Sequence, residues 1–144
     1  MDDNFYMQKA LELAKIARAK DEVPIGCVIV LNGKIIASGY NLRERKQDAT
    51  AHAEVIAIKK ACRKLKSWRL NDCIMYVTLE PCLMCFGAIL NARIKKVVYG
   101  ALDTKNGTSL YNLPDINLNH KVENLYLENS ECAGIIRDYF KNKR

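Results

Sequence analysis

The sequence predicts an α/β fold, a three-layer α/β/α sandwich around a five-stranded mixed sheet. Segments with helical and strand-like patterns alternate along all 144 residues. Asn32-Gly33 separates two strand-like runs, and this dipeptide is the strongest short-range signal for a hairpin. The run "CIMYVTL" is apolar throughout, as expected of a strand that is buried on both faces. We therefore expect residues 1–144 to form one domain, in which parallel crossovers follow an antiparallel hairpin.

The amino-terminal half predicts a helix, a hairpin and a second helix. Apolar residues recur at helical spacing over 3–20, which indicates an amphipathic helix. The run "CVIVLNGKIIASGYN" then supplies the first two strands. Thr50 has a side chain suited to the N-cap of a helix over 51–66.

The carboxyl-terminal half predicts three strands and two helices. "CIMYVTL" is the third strand, and Pro81 suits the first turn of a helix over 82–92 because that turn leaves its backbone donors unpaired. "KVVYGA" and "KVENLYL" indicate the fourth and fifth strands, and apolar spacing indicates a last helix over 129–141. Residues 102–120 have no clear period, and a loop of this length in a compact domain is usually functional.

The composition indicates a cytoplasmic protein with affinity for polyanions. Lys and Arg exceed Asp and Glu by a formal charge of +7, which attracts nucleic acid. The basic runs that offer phosphate contacts are 43–46, 59–60, 93–96 and 141–144. No apolar stretch reaches the roughly 18 residues of a membrane span, and the first residues are unlike a secretory signal. We therefore expect no membrane partner.

Two of the six cysteines, Cys82 and Cys85, have the spacing of a metal-ligand pair. His52 and Glu54 open one predicted helix as the two cysteines open the next. A metal beyond both helix starts can bind His52 and both sulfurs, and the helix dipoles favour the thiolate form. Two thiolates and one imidazole suit tetrahedral zinc, which keeps a fourth position for water. Glu54 would then act as general acid and base for that water.

The cysteine pair alone leaves other uses open. A single C-x-x-C also fits a redox pair or half of a structural zinc site. A fourth protein ligand, such as His120 or another cysteine, would close the site into a zinc that only stabilises the fold. The four isolated cysteines are expected in the core as small apolar residues: Cys27, Cys62, Cys73 and Cys132.

H-x-E followed by P-C-x-x-C resembles the zinc-dependent cytidine and nucleoside deaminases. Within that superfamily the chain resembles the bacterial tRNA-specific adenosine deaminases, which convert the wobble adenosine of an anticodon to inosine. The matching stretches are "EVPIGCVIV", "GYN", "TAHAEV", "YVTLEPCLMCFGAILNARIKKVVYGALD" and "NHKVE". The resemblance implies a cytidine deaminase-like fold, a tRNA anticodon loop as substrate and a homodimer. It also implies one Zn²⁺ per subunit on His52, Cys82 and Cys85, with Glu54 shuttling protons.

The resemblance assigns six further residues to the RNA substrate. Asn41 would hydrogen-bond the flipped base. The other five would meet neighbouring nucleotides from a loop and from the last helix: Asp103, Lys105, Tyr139, Phe140 and Lys141. Tyr139 and Phe140 fit equally well as core residues because of their helical spacing. The chain departs from the family pattern at Ala49, where proline is usual, and in a loop over 103–115 that is a few residues short.

Two other functions remain open. One is deamination of free nucleobases or nucleosides, of the guanine or cytidine type, at the same zinc site. The other is a noncatalytic, zinc-stabilised RNA-binding module. The charge of +7 and the stretches "VVYGALD" and "NHKVE" favour the RNA deaminase over the enzyme for free bases.

Overall fold

The computed structural model describes residues 1–110 and 120–143. Residues 111–119 of the aperiodic segment, and Arg144 of the last basic run, lie outside the described residues. The helices are α1 (Asp3–Ala19), α2 (Arg43–Lys46), α3 (Ala53–Leu65), α4 (Leu83–Asn91) and α5 (Ser130–Lys141). The strands are β1 (Gly26–Leu31), β2 (Lys34–Tyr40), β3 (Ile74–Val77), β4 (Lys96–Tyr99) and β5 (Glu123–Tyr126). The predicted sandwich with a five-stranded mixed sheet is confirmed.

The sheet has the strand order β2-β1-β3-β4-β5. β1 pairs antiparallel with both β2 and β3, whereas the β3–β4 and β4–β5 pairs are parallel. The connection through α3 therefore passes over β1 on its way from the edge strand β2 to β3. The carboxyl ends of β3, β4 and β5 share one edge of the sheet, and the amino-terminal ends of α3 and α4 lie at that edge.

The hairpin of β1 and β2 turns at Asn32-Gly33, as predicted. The two residues have φ values of 51° and 78°, and a two-residue type I′ turn needs positive φ at both positions. Leu31 pairs with Lys34 across the turn, and the register shifts between Ile29 and Val30. The turn therefore sets the strand pairing next to it, and the shift changes the register by one residue over the rest of the hairpin.

Helices cover both faces of the sheet. α1 and α5 pack on one face in a cluster that includes Met7, Leu11, Val28, Val98 and Ile135. α3 and α4 pack on the other face in a cluster that includes Ile29, Ala57, Met75, Ile89 and Val97. Cys27, Cys73 and Cys132 are buried, as predicted for core residues, whereas Cys62 is partly exposed. Across the described chain, no helix has the length and apolar character needed to cross a bilayer.

The predicted starts of three helices are early by one or two residues, and for α5 the residue predicted as the start, Asn129, is its N-cap. α3 takes His52 as its N-cap, because the hydroxyl and backbone N–H of Thr50 both donate to Asp48 Oδ1 instead. α4 takes Cys82 as its N-cap, so Pro81 precedes the cap rather than standing in the first turn. The short helix α2 lies in a polar stretch that predicted no helix.

Gly26 allows the backbone of α1 to pack directly on β1. A β-carbon at this position would lie 2.6 Å from the backbone nitrogen of Ala14 and would press on the carbonyl oxygen of Ala10. Gly26→Ala should therefore lower the free energy of unfolding by about 1–3 kcal/mol, measured by chemical denaturation. Gly134→Ala is the matched control, since a β-carbon there meets only the flexible end of the Arg137 side chain, at 3.4 Å. Equal effects of the two substitutions would contradict this account.

Candidate active site

Two helix starts bring the predicted metal ligands together. His52 caps α3 and Cys82 caps α4, and both helices begin at the edge of the sheet where β3 ends. Cys85 lies in the first turn of α4, three residues after Cys82, on the same side of the helix. The local sequence therefore places three ligands from two distant segments around one point.

The geometry of these ligands fits a tetrahedral metal ion. Nδ1 of His52 lies 3.7 Å from Sγ of Cys82 and 3.5 Å from Sγ of Cys85. All three ligand atoms lie within 4.8 Å of one another. Tetrahedral zinc, with bonds of about 2.3 Å to sulfur and about 2.0 Å to nitrogen, places a nitrogen and a sulfur about 3.5 Å apart. The group is thus compatible with zinc in both donor chemistry and spacing.

The electrostatics of the group favour a thiolate at Cys82. Hydrogen bonds from Cys85 and His52 lower the pKa of the Cys82 thiol to about 4, despite its partial burial. The pKa of Cys85 is raised, because its thiol donates to Cys82 and is buried. The pKa of His52 is raised chiefly by its hydrogen bond with Cys82. Since the thiolate is the form that binds metal, Cys82 is prepared for coordination.

Glu54 lies beside the group with one oxygen that has no protein partner. Its side chain is 3% exposed, and Oε1 makes no hydrogen bond within the described part of the chain. Burial raises the pKa of this carboxyl to about 7. A buried, unpartnered carboxylate oxygen is costly for folding, so this position needs a partner supplied by water or substrate. A carboxyl with a pKa near neutrality can both accept and release a proton.

Two of the ligands, His52 and Cys82, line a cleft of about 720 Å³ together with Glu54. This volume lies within the range of about 300–1,000 Å³ that is usual for small-molecule sites. Apolar side chains line much of the wall: Val23, Ile25, Leu79, Leu83, Met84, Leu102, Ile136 and Phe140. The polar lining comes from Asn41, Arg43, Glu80, Asp103, Thr104, Lys105 and Asn106, together with His52, Glu54 and Cys82.

Four of the six predicted substrate residues line this cleft, namely Asn41, Asp103, Lys105 and Phe140. Asn41 is 5% exposed, and its Oδ1 accepts a hydrogen bond from the backbone N–H of Arg43 at 3.0 Å, which fixes the amide at the wall. Phe140 is 47% exposed at the rim. The roles of these residues stay predictions.

The other two predicted substrate residues lie elsewhere on α5. The hydroxyl of Tyr139 donates to the carbonyl oxygen of Asp21 at 3.3 Å, and the ring lines a separate cavity between α5 and the end of α1. Lys141 is exposed near the end of α5 and is absent from the lining that the described residues form. Their contacts with RNA also stay predictions.

His120 takes no part in the metal group. Its Nε2 lies 2.6 Å from the carbonyl oxygen of Ile94, which precedes β4. That position is at the opposite end of the strand from the cleft. Among the described residues the candidate metal group therefore consists of His52, Cys82 and Cys85, as predicted.

Two buried carboxylates near the cleft were not predicted. Glu22 is 1% exposed and accepts hydrogen bonds from the backbone N–H groups of Glu44 and Arg45. Glu80 is 3% exposed and accepts bonds from the segment after β4. In the sequence Glu80 is a single acidic residue at the end of an apolar strand run, in "YVTLEPC", which indicates a buried, hydrogen-bonded carboxylate. Glu22 follows Asp21 and carries no such signal.

Known proteins resemble this chain in sequence and in fold. The model of the MafB19-like deaminase family matches residues 1–144. The tRNA-specific adenosine deaminase of Bacillus subtilis (strain 168) is 48% identical and aligns with 99% of this chain and 91% of its own length. A solved structure from work on A-to-I editing by tRNA:A34 deaminases at the wobble position has a TM-score of 0.87 and 41% identity, covering 92% of this chain and 99% of its own.

A guanine deaminase from Bacillus subtilis has a TM-score of 0.71 and 35% identity, covering 98% of this chain and 95% of its own. All three proteins are named or studied as deaminases. The His/Cys/Cys group beside a buried glutamate matches the deaminase pattern H-x-E with P-C-x-x-C. The chain therefore belongs to the MafB19-like deaminase family, and within it to the tRNA-specific adenosine deaminases.

Proposed function

We propose that this protein converts the wobble adenosine of a tRNA anticodon loop to inosine by hydrolysis, with one Zn²⁺ per subunit on His52, Cys82 and Cys85. One observation carries the chemistry: buried Glu54, whose Oε1 has no partner among the described residues, lines the same cleft as the ligands His52 and Cys82. The relatives named tRNA-specific adenosine deaminase support the substrate. We also propose that residues 1–144 act as one catalytic domain, in the cytoplasm.

The reaction consumes water and adenosine and releases inosine and ammonia. Zinc, when bound, supplies a Lewis acid that brings the pKa of a coordinated water near neutrality. Glu54 accepts a proton from the attacking water and donates it to the purine ring as carbon 6 becomes tetrahedral. Glu54, again a carboxylate, then takes the proton of the hydroxyl on carbon 6 and passes it to the amine. The carbon–nitrogen bond breaks, ammonia leaves, and Glu54 ends as the carboxylate that began the reaction. Its pKa of about 7 suits both directions of transfer.

The cleft suits a base that has left its stack. Asn41 offers an amide at the wall, and the apolar side chains nearby exclude water from the purine faces. An anticodon loop is already single-stranded, so presenting the base costs only about a few kcal/mol. Arg43 and Lys105 at the cleft, with a net charge of +7, provide attraction for the flanking phosphates.

The 35% identity with a guanine deaminase supports one alternative to the RNA reaction, which is deamination of free bases at the same site. Purified protein should release ammonia from an anticodon stem-loop but much less from guanine, cytidine or free adenosine. Raising the salt concentration should weaken RNA turnover steeply, because bound phosphates displace counterions. Turnover of guanine alone, without dependence on salt, would refute the RNA reaction and support the alternative.

We further propose a homodimer. α4 exposes apolar side chains beside the cleft: Leu83 is 53% exposed and Met84 is 38% exposed. On the same helix, a β-carbon on Gly87 would meet no described atom within 4 Å. A second copy packed on this face would bury these apolar side chains and extend the mouth of the cleft. Light scattering that gave the mass of a single chain would contradict the dimer.

A further inference from the structure

We propose that Glu80 is a positioning residue, whose buried carboxylate holds the segment 103–109 against the cleft so that its side chains meet the RNA next to the target base. This inference rests on the proposed RNA substrate. It concerns a residue that neither binds the metal nor transfers a proton in the reaction described above.

One carboxylate joins the two ends of this segment. Oε1 of Glu80 accepts a hydrogen bond from the backbone N–H of Asp103 at 3.1 Å. Oε2 accepts one from the backbone N–H of Ser109 at 2.7 Å, and the hydroxyl of Thr108 lies 3.4 Å away. Glu80 therefore fixes both the beginning and the end of the segment relative to itself.

The backbone of the segment passes close to the Glu80 carboxylate at Gly107. A β-carbon on Gly107 would press on Glu80 Oε1 and lie 2.5 Å from the carbonyl oxygen of Asp103, so the backbone passes next to the carboxylate. Gly107 also forms a bridge with the ligand Cys82, and the N–H of Thr108 donates to the carbonyl of Pro81. The segment thus runs along the residues that lead directly into the metal group.

The segment is folded so that its other residues face the cleft. Asp103 Oδ1 accepts hydrogen bonds from the backbone N–H groups of Lys105 and Asn106, both at 3.0 Å. Asp103, Thr104, Lys105 and Asn106 all line the cleft that contains Glu54. The position of Lys105 relative to the reacting base is therefore set by Glu80 through the backbone.

The electrostatic environment supports a positioning role. Glu80 is 3% exposed, yet in the described ranges no lysine or arginine forms an ion pair with it. Its partners are backbone N–H groups and one hydroxyl of this segment. Burying a carboxylate costs free energy, and an apolar residue would fill the space without that cost. The hydrogen bonds to the segment therefore explain why a carboxylate, rather than an apolar residue, occupies this buried position.

Glu80→Gln tests the inference, because glutamine keeps the shape but can accept a hydrogen bond at only one of the two atoms. Its amide N–H would then face a backbone N–H of the segment. We expect KM for an anticodon stem-loop to rise about tenfold or more, the effect of losing one bond to a charged acceptor. We expect kcat to change less than about threefold and zinc content to stay the same, since binding and chemistry separate in this way.

A double-mutant cycle with Lys105→Ala separates positioning from general destabilisation. In the wild-type background Lys105→Ala should raise KM, and in the Glu80→Gln background it should raise KM much less, because the lysine is no longer held in place. Val98→Ala is the control for stability alone, as Val98 is fully buried in the other core cluster. It should lower the melting temperature and leave KM unchanged.

Additive effects of the two substitutions, an unchanged KM in Glu80→Gln, or loss of zinc from that variant would each overturn the inference. Should Glu80→Gln fail to fold, Gly107→Ala applies the same test, because its β-carbon displaces the segment while the carboxylate remains. That variant should raise KM for RNA with kcat preserved, and a normal KM would count against the inference. A wild-type protein that deaminates no RNA would instead refute the proposed function itself.

Discussion

Glu54→Gln is expected to retain its zinc and to lose deamination by about a thousandfold or more. Glutamine has the same shape as glutamate but cannot accept the proton of the attacking water or return it to the leaving amine. The measurement is inosine formation in a stem-loop RNA under single-turnover conditions, with metal content determined on the same sample. The free Oε1 and its burial make this position the strongest candidate for proton transfer.

Glu12→Gln is the matched control for loss of a carboxylate. Glu12 lies on α1 with an exposed side chain, and its only ion pair in the described structure is a 3.9 Å contact with Lys9. This variant should react at the wild-type rate. A loss of less than about tenfold in Glu54→Gln would favour the noncatalytic RNA-binding module, because general acid–base catalysis contributes about 10²–10⁴-fold.

Cys85→Ala should lose both the metal and the activity. Removing one of three protein ligands leaves a site with one thiolate and one imidazole, and this pair binds zinc far more weakly than the full set. Metal analysis should give about one zinc per chain for the wild type and almost none for the variant. The melting temperature should fall as well, because metal that binds only the folded state stabilises it.

Cys132→Ala controls for the loss of a buried sulfur. Cys132 is fully buried, as Cys85 is, but it lies on α5 on the opposite face of the sheet. It should keep its zinc and its activity, although the small cavity lowers stability. If Cys85→Ala kept one zinc, or if Cys132→Ala lost it, the assigned ligand set would be wrong.

Local signals explain why most of the fold and the metal group could be predicted. The Asn32-Gly33 turn is specified by backbone conformations that few other residue pairs accept, so it fixed the hairpin. Residue type and spacing identify His52 and the two cysteines as candidate metal ligands, and the two helix starts bring them together. A metal group whose few ligands lie at helix starts can therefore be predicted from the sequence alone.

The features that escaped prediction depend on tertiary contacts. Thr50 has a side chain suited to an N-cap, but its hydroxyl donates to Asp48, and His52 is the N-cap of α3 instead. α2 is four residues long and has no apolar face. Glu22, which precedes β1, anchors its first turn by accepting a hydrogen bond from the backbone N–H of Glu44. Insertion of β1 between β2 and β3 is a choice of strand order that no local pattern encodes.

The way α2 is attached has a consequence for protein engineering. Glu22 and Asn41 hold the backbone N–H groups of residues 43–45, and every amino acid except proline carries such a group. The anchorage is therefore indifferent to which side chains stand at these three positions. A combinatorial library at Arg43, Glu44 and Arg45 could vary charge and size beside the cleft on one constant main-chain scaffold.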